Sequence, residues 1–196
     1  MNEHDAVETF VEPQPFVPHS GFAGDRREAL RLLDPGAIDS PIVDIVTACA
    51  ALPHAFTLQC CYGHFLCSPD QDMHTLAPIP DDCAGPVRYR IAYVAFCVEN
   101  SDRGRAFHAE LARIPDVDPG FIQFGSPDWF RERWPNSYAL QVEPVAHRFK
   151  DEALLDVSEA RRTAMARDGF FARLRRVLAD EAAAAESDAA RGRSGT

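Results

Sequence analysis

The sequence predicts a single α+β domain, built from one mixed β-sheet with flanking helices and a long C-terminal helix. Segments with strand-like alternation of apolar residues occur irregularly between segments with helical spacing, not in a regular strand–helix repeat. Hydrophobic residues make up 46% and charged residues 26% of the 196 residues, which is the balance of a chain that can bury one core.

Four segments show the hydrophobic pattern of β-strands. Residues 56–62 alternate between an apolar and a polar face, and residues 121–124 form a short strand after a turn. Residues 87–98 give the strongest strand pattern, and their second half is apolar on both faces, as in a central strand. Residues 137–143 alternate, which predicts a strand with one solvent-exposed face.

Helical spacing of apolar residues predicts helices at residues 26–33, 40–52 and 156–185, and a turn of helix at 128–134. Ser101 is placed to cap a further helix. Between the elements, the proline-rich and acidic residues 68–86 predict a long loop.

The two ends of the chain differ in composition from the predicted domain, residues 25–185. Residues 1–24 carry four acidic side chains, no lysine or arginine and several prolines, so we expect an irregular acidic arm that folding does not require. Residues 186–196 are small and polar, which predicts a disordered tail.

Charge and hydropathy restrict the classes of function. The net charge of −10 disfavours extended binding to nucleic acid, which needs a basic surface. No apolar run is long enough to span a membrane, and the acidic N-terminus does not resemble a secretory signal, so we expect a cytoplasmic protein. In that compartment the six cysteines are free thiols, most of which we expect to pack in the core.

The end of the strand at residues 56–62 is the first candidate site. Cys61 shares the polar face of that strand with Gln59, and Gly63 tolerates the close approach of a ligand. A bulge at Gly63 would bring His64 to the same face, where the imidazole could lower the pKa of the thiol or act as a base. We therefore predict Cys61 and His64 as catalytic residues, with Gln59 and Tyr62 as substrate-binding residues.

A second patch follows the strand at residues 121–124. Ser126, Asp128, Trp129 and Arg131 form a polar and aromatic loop that could stack a planar ligand. Arg88 and Arg90 are expected at the rim of the same pocket. In the alternative interpretation, Trp129 and Trp134 only cover one end of the core.

Two other classes of function are compatible with these residues. Cys61, His64 and Cys67 have the spacing of metal ligands, with His54, His74 or Cys83 as a fourth, and this donor set suits zinc in a metal-binding or sensor protein. Alternatively, the protein is a non-catalytic interaction module that contacts a partner through its acidic arm or its long terminal helix.

The segment from Phe56 to His64, Phe-Thr-Leu-Gln-Cys-Cys-Tyr-Gly-His, resembles the Phe-Thr-x-Ser-Ser-Cys-Ser-Gly-Arg signature of the wybutosine-synthesis tRNA methyltransferases. Cys61 and Gly63 stand at the cysteine and the glycine of that signature, whereas His64 replaces its arginine. Further segments of residues 40–145 are similar to that family in the same order: Ala95-Phe96-Cys97-Val98, Gly120-Phe121 with Gly125, and Val142-Glu143-Pro144.

The resemblance implies a related fold and pocket, and S-adenosylmethionine as the methyl donor. That family acts on a tricyclic guanine-derived base in tRNA. We therefore expect an enzyme that acts on a small-molecule or nucleotide-like substrate at a pocket centred on Cys61 and His64.

Overall fold

The computed structural model describes residues 10–147 and 151–193, with side chains for residues 12–147 and 151–185. The strands are β1 (Phe10–Val11), β2 (Ala55–Cys61), β3 (His64–Leu66), β4 (Val87–Arg90), β5 (Ala92–Val98), β6 (Ile122–Pro127), β7 (Ser137–Val142) and β8 (Glu152–Leu155). The α-helices are α1 (Phe22–Leu32), α2 (Val43–Ala51), α3 (Asp102–Leu111), α4 (Asp128–Arg131) and α5 (Val157–Arg193). The predicted α+β class is confirmed.

The strands form two sheets, where the sequence predicted one mixed sheet. One sheet has the order β1-β6-β7-β5-β2 and the other has the order β3-β4-β8. Neighbouring strands in the described chain are antiparallel in both sheets. The loop at residues 68–86 is confirmed, and it leads from β3 to β4.

The predicted strand at residues 87–98 is divided between the two sheets. The break falls at Ile91, whose N–H donates to the carbonyl of Asp151. The buried hydroxyl of Tyr89 accepts from the Ala92 N–H at 2.9 Å and donates to the Val142 carbonyl at 2.6 Å. These bonds satisfy backbone groups that a change of sheet would otherwise leave unpaired.

Helices α2, α3 and α5 pack on one face of the five-stranded sheet and form the main core with it. On the other face, α1 and α4 cover smaller clusters around Phe56 and Phe130. Because both faces are covered, all six residues of β7 are buried, and the predicted solvent-exposed face of this strand is wrong.

The acidic arm docks on the domain more closely than the sequence predicts. Residues 1–9 lie outside the described residues, but β1 pairs with β6, and α1 begins at Phe22. Asn136 accepts from the Val17 N–H at 2.8 Å and donates to the Val17 carbonyl at 3.0 Å. The prolines remove regular structure from this segment without preventing its backbone from bonding to the core.

Helix α5 is longer than predicted, because it continues to Arg193 through residues for which we expected a disordered tail. Its alanine-rich composition explains the difference, since alanine has the highest helix propensity. Residues 194–196 lie outside the described residues. Among the described helices, none combines the length and the apolar character of a membrane span.

Candidate functional site

The turn between β2 and β3 brings Cys61 and His64 together. Gly63 occupies this turn with a φ of +90°, and a Cβ atom there would lie 2.8 Å from the Cβ of Ala92. A side chain at this position would meet both backbone strain and a steric clash, so the tight turn depends on glycine. Arg167 of α5 donates to the Gly63 carbonyl at 3.2 Å and so holds the turn from the opposite side.

Asp39 completes a cluster with these two residues. One ligand atom each from Asp39, Cys61 and His64 lies within 4.8 Å of the others. Asp39 lies just before a short 3-10 helix, Ser40–Ile42, and its Oδ2 accepts from the Tyr62 N–H at 2.8 Å. Sequence reasoning missed Asp39, because its position before a helix is also typical of an ordinary capping residue.

The hydrogen bonds of His64 determine which of its two ring nitrogens faces this cluster. Its Nδ1 lies 3.0 Å from the Thr75 carbonyl, which can only accept, so Nδ1 carries a proton. Its Nε2 lies 3.4 Å from Asp39 Oδ2, and the side chain is 2% exposed. The Nε2 lone pair and the Asp39 carboxylate are then two acceptors that face each other, an arrangement suited to a metal cation between them.

Cys61 does not have the surroundings of an activated nucleophile. Burial raises the pKa of its thiol, and this effect exceeds the lowering by the Gly63 N–H, which donates to the sulfur at 3.4 Å. Asp39 raises the pKa further. The expected lowering of the thiol pKa by His64 is therefore wrong: burial and a neighbouring carboxylate both favour the neutral form.

A cavity of about 940 Å³ opens beside the cluster on the sheet face opposite α5. Of the residues predicted for substrate binding, Gln59, Arg90 and Trp129 line this cavity, together with Cys61 and His64. The structure adds Asp39 and several residues that the sequence did not single out, namely Tyr93, Phe130, Gln141, Asp151 and Glu152.

Other predicted site residues lie outside the cavity lining. Tyr62 packs towards α5, where its ring stacks on Phe171 at 5.3 Å and its hydroxyl donates to Asp168. Ser126 is fully buried and accepts from the Gln14 N–H, so its neighbour Pro127 lines the cavity instead.

Arg88, Asp128 and Arg131 are also absent from this lining. Arg88 pairs with Leu154 in the three-stranded sheet, and Asp128 and Arg131 are the first and last residues of α4. These three residues are close in sequence to residues that line the cavity, but closeness in sequence did not bring their own side chains to it.

The metal ligands predicted from spacing are only partly brought together. Cys67 packs against the core of the three-stranded sheet and is not part of the three-residue cluster. His74 lines the cavity, with its ring centre 5.7 Å from that of His64, but it is not part of the three-residue cluster. The change of sheet after Gly63 separates Cys67 from the site that its spacing suggested.

Polar side chains continue from the cluster across the floor of the cavity. Cys61 is directly opposite Tyr93, Tyr93 is opposite Gln141, and Gln141 is opposite Gln123 on the next strand. The Gln141 amide donates to Gln123 at 3.1 Å and to the fully buried Glu143 carboxylate at 2.9 Å. These bonds fix the orientation of the Gln141 amide that faces the cavity.

The rim of the cavity carries charged and aromatic groups. Arg90 lies 3.5 Å from the carboxylate of Glu152 and donates to the Met73 carbonyl of the loop. Trp129 is 59% exposed, and the guanidinium of Arg133 stacks 3.4 Å from the centre of its ring. The Trp129 ring thus presents a planar aromatic surface at the rim.

No protein-family model matches the chain, and no curated protein matches its sequence. Among solved structures, the chain is similar to the PH1069 protein from Pyrococcus horikoshii, with a TM-score of 0.47 and 11% identity. The match covers 82% of this chain and 96% of that chain. At this TM-score the likeness establishes neither a shared fold nor a shared activity.

Proposed function

We propose that this protein is a zinc-dependent enzyme that acts on a small or nucleotide-like substrate in the cavity. Asp39, Cys61 and His64 would hold the metal. The observation that carries the proposal is the convergence of a carboxylate, a thiol and an imidazole at one end of a large open cavity.

The distance between two of the three ligand atoms supports a tetrahedral metal site. Two nitrogen or oxygen ligands, each about 2.05 Å from a tetrahedral zinc, are about 3.3 Å apart. The separation between His64 Nε2 and Asp39 Oδ2 is 3.4 Å. The Thr75 carbonyl holds the proton on Nδ1 and leaves the Nε2 lone pair directed at the cluster, which is the usual outer contact of a metal-bound histidine.

Three protein ligands beside a cavity are typical of a catalytic zinc site and not of a structural one, which is closed by four. The fourth position would face the cavity, where water or substrate can enter. There a zinc ion supplies Lewis-acid chemistry, either by polarising a substrate oxygen or by lowering the pKa of water for hydrolysis. The protein contributes the fixed ligand geometry and the shape of the cavity.

The cavity walls support a planar, polar substrate. The volume of about 940 Å³ lies at the upper end of the range for small-molecule sites. Tyr93, Trp129 and Phe130 offer aromatic contacts, and the amides of Gln59 and Gln141 offer hydrogen bonds.

Cobalt titration of the purified, untagged protein tests the metal site. We expect about one Co²⁺ per chain, with the absorption of a cobalt–thiolate bond, and competition by zinc. Cys61→Ser should abolish that absorption, whereas Cys60→Ser, the matched control at the adjacent residue of β2, should retain it. Unchanged absorption in Cys61→Ser would overturn the proposal.

A second measurement separates the cluster from the ligand set suggested by spacing. His64→Ala should lower the affinity for cobalt at least about 100-fold, because it removes a ligand and its outer contact. His74→Ala and Cys67→Ser should change the affinity less than about threefold. Loss of binding in Cys67→Ser, with binding retained in an Asp39 variant, would favour the spacing-based site.

Methyl transfer from S-adenosylmethionine, which the resemblance implies, is the second candidate function. The volume of the cavity and the exposed ring of Trp129 on its wall favour it, since both suit a nucleoside-sized ligand. If it binds, S-adenosylmethionine should raise the unfolding midpoint by mass action, and Trp129→Ala should reduce that shift. No shift at millimolar ligand would rule out this function.

A further inference from the structure

A second cavity, the side cleft, adjoins the cavity at the cluster. Its volume is about 420 Å³, and it lies between α1 and the first half of β2. Ala37, Ile38 and Gln59 belong to the linings of both cavities. The two spaces therefore meet at these residues.

The side cleft is lined mainly by apolar side chains. They come from α1 and the residue after it, from β2 and from the segment after α4: Ala29, Leu32, Leu33, Phe56, Leu58 and Trp134. This lining differs from that of the first cavity, where charged groups and amides occur beside the aromatic rings.

The carboxylates in the lining of the side cleft already have partners within the chain. Asp25 lies 2.9 Å from the His19 ring, and Glu28 forms an ion pair with Arg31. The third carboxylate, at position 34, accepts a backbone N–H two residues later at 2.9 Å. Since these charges are engaged locally, the apolar groups are what the side cleft offers to a ligand.

A bulge in β2 places the two cavities on one face of the sheet. Thr57 and Gln59 lie opposite adjacent residues of β5, so Leu58 between them is an extra residue. The extra residue reverses the facing of the strand that follows it. Leu58 packs on the clusters opposite α5, and Gln59 and Cys61 line the first cavity on that same face. β2 thus presents an apolar stretch and then a polar one along a single cleft.

Leu32 offers its side chain to the side cleft without being covered by the protein. It is the last residue of α1 and is 63% exposed. Single exposed leucines are common on protein surfaces, but Leu32 lines a concave space together with other apolar groups. An apolar ligand seated there would remove this side chain from water, which favours binding.

We propose that the side cleft binds an apolar substituent of a substrate whose polar part lies at Asp39, Cys61 and His64. The three residue steps from Leu58 to Cys61 span about 10 Å of strand, so one small molecule can reach both places. The volume of about 420 Å³ lies within the range of small-molecule sites. Only the polar part of this substrate rests on the proposed function, because the three cluster residues do not line the side cleft.

A neutral apolar dye, N-phenyl-1-naphthylamine, tests the side cleft in the metal-free protein. We expect about one dye molecule per chain, with increased emission. Leu32→Gln should weaken binding at least about fivefold, because it removes apolar surface from the lining. Leu154→Gln is the matched control, since Leu154 is 64% exposed in β8 and lines neither cavity. Absence of dye binding, or equal binding in the two variants, would overturn the proposal.

Hydroxamates of different chain length test whether one ligand occupies both cavities. Acetohydroxamate and octanohydroxamate share a metal-binding head and differ in their alkyl tails. For the cobalt-loaded protein, we expect octanohydroxamate to bind at least about 30-fold more tightly, since each buried methylene group contributes about fourfold in affinity. Leu32→Gln should reduce this ratio at least about fivefold, and Leu154→Gln should leave it unchanged. Equal affinities of the two hydroxamates for wild type would show that the side cleft is not part of the substrate site.

The two measurements separate failure of the side cleft from failure of the metal site. If wild type binds no cobalt, the zinc proposal fails, and the dye still decides whether the side cleft takes an apolar ligand. If wild type binds cobalt but no dye, the zinc proposal stands and the apolar site is refuted.

Discussion

The Nε2 atom of His64 lies 3.4 Å from the Oδ2 atom of Asp39, although α2 and β2 separate these residues along the chain. The same carboxylate oxygen accepts the Tyr62 N–H from the turn that leads to His64. Asp39 thus holds the backbone of the turn while facing the imidazole. This arrangement connects the local geometry at Gly63 with the proposed metal site.

Replacing Asp39 by asparagine tests the two roles of this carboxylate separately. The amide oxygen can still accept from Tyr62, but it is a neutral and weaker metal ligand. We expect Asp39→Asn to lower cobalt affinity at least about 100-fold while changing the free energy of unfolding of the metal-free protein by less than about 1 kcal/mol. Asp151→Asn, at the same cavity, is the matched control and should bind cobalt like wild type. Equal losses in both variants would indicate a general charge effect.

Gly63 and Gly85 provide a matched pair for the turn. Both have positive φ values, +90° and +93°, but a Cβ at Gly63 would lie 2.8 Å from the Ala92 Cβ, whereas nothing lies within 4 Å at Gly85. We expect Gly85→Ala to cost about 1 kcal/mol from backbone strain. Gly63→Ala should cost about 3 kcal/mol or more, because overpacking adds to the strain. Urea unfolding measures both values, and equal costs would show that the contact with Ala92 relaxes freely.

The N-terminal segment should contribute to stability, contrary to the expectation from its sequence. Asn136 makes two hydrogen bonds with the backbone of Val17, and its side chain is buried. Asn136→Ala should lower the free energy of unfolding by about 2–3 kcal/mol, because it also leaves backbone groups of Val17 without these partners. Deletion of residues 1–18 should cost at least as much. An unchanged unfolding midpoint after the deletion would show that the docked segment adds nothing.

His108 should make the protein less stable as the pH falls below about 6.5. Its ring packs against Phe16, Phe124 and Tyr138, and burial lowers its pKa. The unfolded chain therefore binds a proton that the folded chain resists, so stability is complete above the unfolded pKa and declines below it.

Replacement of His108 by phenylalanine should remove this contribution. In urea unfolding between about pH 5 and 7, the difference in stability between wild type and His108→Phe should grow as the pH falls, with a slope of at most about one proton. His74→Gln, which changes an exposed histidine of the loop, serves as the control. A difference that stays constant with pH would show that His108 protonates equally in the folded and unfolded chains.

Part of the site could be predicted from local pattern. The alternation in residues 56–62 located β2 to within one residue at each end, and the glycine after that strand predicted a bulge where the structure has a turn. The same pattern placed Cys61 beside a polar face, and the structure brings His64 to it. The Ser101 cap was also predictable, because its hydroxyl accepts from the Gly104 N–H three residues later. These features involve residues close together in the chain.

The partners of those residues were not predictable in the same way. Asp39 has no local pattern that marks it as a ligand, and Cys67 has a spacing that suggests one although it packs against the core of the three-stranded sheet. The sheet change at Ile91 was hidden, because this one residue alone separates β4 from β5 along the chain. Ser126 lies within β6, which extends further than the predicted strand, and it is buried where its hydroxyl accepts from the Gln14 N–H.

The sequence by itself determined the α+β class, the main helices and the strand end at which the candidate site lies. Only the tertiary structure decided that Asp39 joins Cys61 and His64, and that the sheet divides in two. The physical reason is the distance along the chain over which each kind of signal acts. Side-chain periodicity and capping depend on residues within a few positions of one another, whereas strand pairing and ligand clusters join residues brought together by packing.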